Sequence, residues 1–163
     1  MRILPALLAA LLAILFSCKS KTAFDYSQQI VKMETELAAD IATADKKVSK
    51  FLEAEQNDSV IVIAQQMEDM ADKKLKEIQN LDAPSVEEGE NFKKEAVRYF
   101  SYIKAIYTSF NKFTIATTDE AKEIERSKLV KIVNEKEEAT KALQVAQQKF
   151  ATANNFKIEK TKK

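Results

Sequence analysis

From Asp25 to Asn154 apolar side chains return every third or fourth residue, and almost nothing interrupts the rhythm. The 163 residues contain one glycine and two prolines, one of those prolines at position 5. A chain so poor in turn formers cannot build the many tight turns that a sheet protein needs. Spacing of three and four puts side chains on one face of a helix. Lys, Ala and Glu, all good helix formers, are the commonest residues. The expectation is an all-α fold.

Four segments are legible, with no internal repeat that would make a solenoid. In the first, Asp25 and Gln28 open a stripe of Ile30, Met33, Leu37, Ile41, Ala44, Val48 and Phe51. Asn57-Asp58-Ser59 breaks it and offers caps to the second. There the stripe is Val60, Ile63, Met67, Met70, Ala71, Leu75, Ile78 and Leu81. Asp82-Ala83-Pro84 stops the second helix, because proline disfavours a helical residue before it. Ser85-Val86-Glu87-Glu88 reads as a capping box opening the third. Its stripe is Phe92, Ala96, Tyr99, Ile103, Ile106, Phe110 and Phe113. Thr117-Thr118-Asp119-Glu120 reads as a second box, and the fourth stripe runs Ala121, Ile124, Leu129, Ile132, Ala139, Leu143, Ala146, Phe150 and Ala153. Asn154-Asn155 ends it. Short links force neighbours to run antiparallel, so the expected architecture is an up-down-up-down four-helix bundle of long, coiled-coil-like helices over residues 25–154. A pair of long hairpins that dimerise is the alternative.

The start of the chain reads as an address. MRILPALLAALLAILFS has Arg2 as its only charge, followed by an apolar stretch too short for the ~20 residues of a spanning helix. Leu15, Ser17 and Cys18 then match a bacterial lipobox, with Phe16 bulkier than usual. A thiol is nucleophilic enough to take a diacylglycerol, and cleavage between Ser17 and Cys18 frees an amine for a further acyl chain such as palmitate. Stable anchoring takes at least two chains, so an acylated Cys18 needs no spanning helix. The expected organisation is a signal peptide at 1–17, a lipidated tether at 18–24, the bundle, and a basic tail at 155–163. Lys19 leans toward the outer membrane and leaves open whether the protein faces the periplasm or the outside. A cleaved secretory signal with a chance cysteine, or an uncleaved apolar anchor, is the competing reading.

Charge and residue types narrow the function. Removing residues 1–17 takes away one arginine and no acid, leaving 25 basic and 25 acidic residues. A general nucleic-acid binder should be clearly basic, so no nucleic-acid partner is expected. Histidine is absent, which removes the usual general base and metal ligand and the Glu-x-x-His pairs of di-iron bundles. With Cys18 acylated there is no thiol for zinc, and there is no Gly-rich phosphate loop. Glu34 with Glu36, and Glu135 with Glu137 and Glu138, read as solvated faces. Met67 and Met70, one turn apart, read as core packing rather than a copper site. No enzyme activity, cofactor or metal is expected.

Two features point outward from this frame. Tyr99, Phe100, Tyr102, Tyr107, Phe110 and Phe113 crowd the third helix. At 100° per residue its apolar arc is about 160° wide. Either this helix is the most buried, with phenols reaching polar partners at the rim, or Tyr99, Phe100, Tyr102 and Tyr107 form a face or cleft that takes a partner or an apolar ligand. Ser59, in Asn57-Asp58-Ser59-Val60, resembles an Asp-Ser/Thr-aliphatic O-glycosylation site of some diderm bacteria, where capping is the competing explanation.

The lipobox LFSC, the opening KTAFDYSQQIV and the closing AQQKFATANNFKI together resemble small helical surface lipoproteins of diderm bacteria, a family of uncharacterised function. The resemblance implies a location and a fold, and brings no catalytic residue. The functional expectation is a lipid-anchored envelope lipoprotein whose bundle binds a protein partner or plays a structural role. A carrier of a lipid or other apolar ligand is the alternative.

Overall fold

The computed structural model describes the backbone of residues 4–158 and the side chains of residues 20–158. Four helices follow one another: α1 (Leu4–Glu53), α2 (Asn57–Asn80), α3 (Gly89–Ile115) and α4 (Asp119–Ala153). They form the expected antiparallel four-helix bundle. Lys74 Nζ meets Glu36 at 2.8 Å across α1 and α2, Asn111 Nδ2 meets Gln65 at 2.8 Å across α2 and α3, and Arg98 meets Glu138 at 3.2 Å across α3 and α4.

The helix ends depart from the sequence expectation in an instructive way. Helix α1 does not begin at Asp25. It runs through residues 18–24, where a tether was expected, and its packed face begins at Ala23, which is fully buried. Helix α1 stops at Glu53, before Asn57, because Glu55 turns left-handed at φ 55°. Gln56 N–H then donates to Phe51 and Glu55 N–H to Leu52, a Schellman closure built without glycine. Asn57, Asp58 and Ser59 lie inside α2, and no side chain caps its start.

Ser85-Val86-Glu87-Glu88 does not cap α3 either. Val86 N–H closes a tight turn on Pro84 at 2.7 Å, Glu88 is left-handed at φ 62°, and the helix opens at Gly89. The single glycine is needed there. A Cβ on Gly89 would stand 2.5 Å from the Pro84 carbonyl oxygen. Of the second box, one half forms: Thr118 Oγ1 accepts from Ala121 N–H at 3.2 Å, with Thr118 rather than Thr117 at the cap. Helix α4 closes at Asn154 and Asn155 as expected, with Asn155 left-handed and Phe156 N–H donating to Ala151. Phe156 folds back on Phe24 and Phe150, at 5.7 Å between centroids in each case, so part of the expected tail packs.

The core is the union of the four stripes. Ile30, Leu37, Ile78, Phe92, Phe100, Ile103 and Phe150 are almost wholly withdrawn from solvent. The α2–α3 seam adds a polar ladder. Gln65, Glu68 and Asp72 on α2 meet Asn111, Thr108 and Lys104 on α3, and Glu68 accepts from both Thr108 and Asn111 at 2.8 and 2.7 Å. Such pairs fit in one register only, which fixes how α2 and α3 slide.

Helix packing is uneven. α3 lies against both α2 and α4, whereas α1 meets α4 over a few residues only. Those contacts sit at one end, where Tyr26 is edge-on to Phe92 and Phe150 at 6.0 Å and Phe92 stacks on Phe150 at 5.1 Å. Gln147 donates to Ser27 at 3.2 Å beside them. The α1–α4 seam is zipped at this end and parts toward the other. Among the described residues no helix is long and apolar enough to cross a membrane.

Candidate functional site

The parted seam opens into a cleft of about 440 Å³ that all four helices line. Its floor is apolar: Ile63 and Met67 from α2, and Ile103, Ile106 and Phe110 from α3. Its walls are Ile41, Ala44 and Val48 on α1 and Leu129 and Val133 on α4. Polar groups stand at the two lips, with Asp45 and Ser49 on α1 and Lys136 on α4. An apolar hollow with a few polar groups at its edge is the usual make-up of a small-molecule pocket, and the volume falls within the usual range of about 300–1,000 Å³.

The cause is visible in the heptads. On α4 the sevenfold series Leu129, Lys136, Leu143, Phe150 carries a lysine where bulk would close the seam. On α1 the series Ile30, Leu37, Ala44, Phe51 carries an alanine. Leu143 and Phe150 are buried at the zipped end, while Val130 and Val133 near the cleft stay more than half exposed. Ile124, expected in the core, is also half exposed. The run Asn134 to Glu138 holds no apolar residue, so α4 has nothing to set against α1 there.

Lys136 is half-buried, and among the described residues its ammonium makes no ion pair or hydrogen bond. Its helix neighbours at three and four positions are Ile132, Val133, Ala139 and Thr140, none of them acidic. Other cations bridge helices: Lys74 to Glu36, Lys104 to Asp72 and Arg98 to Glu138. Facing the cleft, Tyr107 has its phenol pushed above the ordinary range by burial, reinforced by the nearby carboxylate of Asp45.

The aromatic residues on α3 are placed differently from an exposed face. Tyr99, Phe100 and Tyr107 are buried, and Tyr99 sits edge-on to Phe100 at 5.4 Å. Only Tyr107 of the four reaches the cleft. Tyr102 is half-buried at the surface, 5.9 Å beneath the Arg98 guanidinium. The reason is that α3 is gripped by α2 on one side and α4 on the other, so its apolar arc is covered across its width. Burial pushes the Tyr99 phenol up to about 12, with Glu34 adding to it, and desolvation raises Glu34 in turn.

The carboxylates noted in the sequence do not converge. Glu36 is held below its usual range by its hydrogen bond to Lys74, Glu137 by Lys141, and Glu138 faces Arg98. Met67 is buried and Met70 packs on the core beside it. Ser59 is half-buried in the first turn of α2, its N–H donating to Gln56 at 3.1 Å. The side chains of Ser17 and Cys18 lie outside the described residues, as do residues 159–163 of the basic tail.

No protein-family model, curated protein or solved structure matches the chain.

Proposed function

We propose that this chain is a lipid-anchored protein of the bacterial envelope whose bundle holds an apolar ligand in the α1–α4 cleft. The observation that carries the reading is the cleft itself: an apolar floor open to solvent where a closed bundle would place two bulky residues. Burial of Tyr99, Phe100 and Tyr107 weakens the case for an aromatic docking face. The role is binding rather than catalysis. The anchor is proposed on Cys18 and the outer membrane on Lys19, both from sequence, together with the resemblance to surface lipoproteins.

The geometry adds a direction to that reading. Helix α1 rises about 1.5 Å per residue, so the cleft around Ala44 stands on the order of 40 Å along the helix from Cys18. A ligand there is presented away from the membrane that holds the anchor.

The neutral fluorophore N-phenyl-naphthylamine tests the cleft. It should bind one per chain with enhanced emission, and Ala44→Phe, which fills the wall, should abolish binding without loss of helicity. Equal binding by both proteins would sink the reading. For the anchor, Cys18→Ala should release the mature domain or stall the precursor, and a matured, membrane-bound variant would contradict it. A protein partner remains the second reading, favoured by exposed Val130 and Val133 beside the cleft. Ser59 as a glycosylation site belongs with that reading.

A further inference from the structure

We propose that the cleft takes a single-chain amphiphile with an anionic head, the chain lying on the α2–α3 floor and the head held by Lys136. The inference rests on the cleft being a ligand site and names the class of ligand. Shape argues for one chain. At roughly 30 Å³ per carbon, near the share of a water in the liquid, 440 Å³ is the bulk of one acyl chain and well short of two. Apart from the Tyr107 phenol near Asp45, the floor of Ile63, Met67, Ile103 and Ile106 offers no polar side-chain atom, so the chain lying on those four is bare hydrocarbon.

Charge argues for the head. Lys136 occupies a core position of its heptad, where a lysine costs stability in a bundle. Lysine at an apolar surface extends its head toward water, and here that path leads along the lip of the cleft. No carboxylate neutralises it among the described residues. Glu137, next to it, is turned to Lys141 at 2.7 Å. Asp45 on the opposite lip repels an anion, which keeps a carboxylate or phosphate head on the α4 side. Fatty acids and anionic lysophospholipids share this chemistry: one chain and one net negative head.

The test uses the chain from Lys19 onward, which keeps every buried side chain described above, after its helicity and cooperative melting are checked. Dodecanoate, dodecanol and dodecylamine compete against N-phenyl-naphthylamine. Dodecanoate should displace the probe at least tenfold more tightly than dodecanol, as a charge-assisted hydrogen bond allows. Lys136→Met should erase that preference and leave dodecanol unchanged. Lys136→Glu should reverse it toward dodecylamine. Lys149→Met, exposed on α4 away from the cleft, should change nothing. A wild-type protein that ranks dodecanoate with dodecanol, or a Lys136→Met variant that keeps the preference, overturns the head-group assignment while dodecanol displacement upholds the apolar cleft. Failure of the probe and of all three ligands overturns both. Where dodecanoate wins, a lysophosphatidylglycerol arm separates the two sources: tighter competition assigns the phosphate head, weaker competition the carboxylate.

Discussion

The zipped end of the bundle should dominate its stability, and Phe150 is the residue with which to measure that. Phe150 is 0% exposed. It stacks on Phe92 at 5.1 Å and meets Tyr26 at 6.0 Å and Phe156 at 5.7 Å edge-on. Truncating a buried phenylalanine to alanine costs about 3–5 kcal/mol. The three aromatic pairs place Phe150→Ala at the upper end of that range, near ~5 kcal/mol. Against a total stability on the order of 5–15 kcal/mol, the loss is large and survivable. With a urea slope of about 2 kcal/mol per molar, the unfolding midpoint should fall by roughly 2.5 M, read by far-UV circular dichroism. Phe110 is the internal comparison. It is half-buried and already borders the open cleft, so truncation creates little new void and should cost only about 1–2 kcal/mol. A midpoint shift below about 0.5 M for Phe150→Ala, or one no larger than that of Phe110→Ala, would refute the uneven packing described here.

Gly89→Ala should destabilise by about 1–2 kcal/mol despite the better helix propensity of alanine, because the Cβ meets the Pro84 carbonyl at 2.5 Å; a raised melting temperature would contradict that contact. Asn111→Ala removes the two hydrogen bonds that this buried amide donates to Gln65 and Glu68 across the α2–α3 seam, leaving Glu68 with Thr108, and should cost about 1–3 kcal/mol. Asn91→Ala, which loses only the surface contact to Glu88, should cost far less in the same chemical melt. Tyr26 has a buried hydroxyl with no hydrogen-bond partner, so Tyr26→Phe should stabilise by up to about 1 kcal/mol. The same phenol and that of Tyr99 are raised from 10.0 to about 12, chiefly by burial. Between those values the unfolded chain gives up these protons and the folded one keeps them, so stability should fall as pH rises through that window. A stability flat from pH 10 to 12, with all four tyrosines titrating together, would contradict the burial.

The bundle was legible because each stripe supplies its own period and the breaks between stripes are short. Buried residues such as Ile30, Leu37, Met67, Phe92, Leu143 and Phe150 all fall on the stripes read from spacing alone. The helix ends were harder. Ser85, Asn57 and Ser59 have cap chemistry, yet backbone geometry at Glu55, Glu88 and Pro84 decided the boundaries, and residues other than glycine took left-handed conformations there. Local propensity does not forecast such turns, because tertiary packing holds them.

The cleft was half legible. Its lining comes from the stripes, with Ile103, Ile106 and Phe110 among the apolar positions read from spacing on the third helix. What reading by stripe missed is the absence that makes the cavity: Ala44 and Lys136 at sevenfold positions, and the polar run from Asn134 to Glu138. Counting apolar matches registers what is present, and a hollow is made by what is not. The aromatic residues of α3 show the converse, since a crowded arc signals burial when helices lie on both of its sides.

The account stands on ligand entering the α1–α4 cleft, and methyl NMR during a dodecanoate titration tests that most directly. Ile41, Ile63, Ile103 and Ile106 methyls should shift together and saturate at one ligand per chain, while Ile30 and Ile78, buried away from the cleft lining, stay in place. Saturating shifts confined to exposed methyls such as Ile124, or no shift at all, would contradict the central claim.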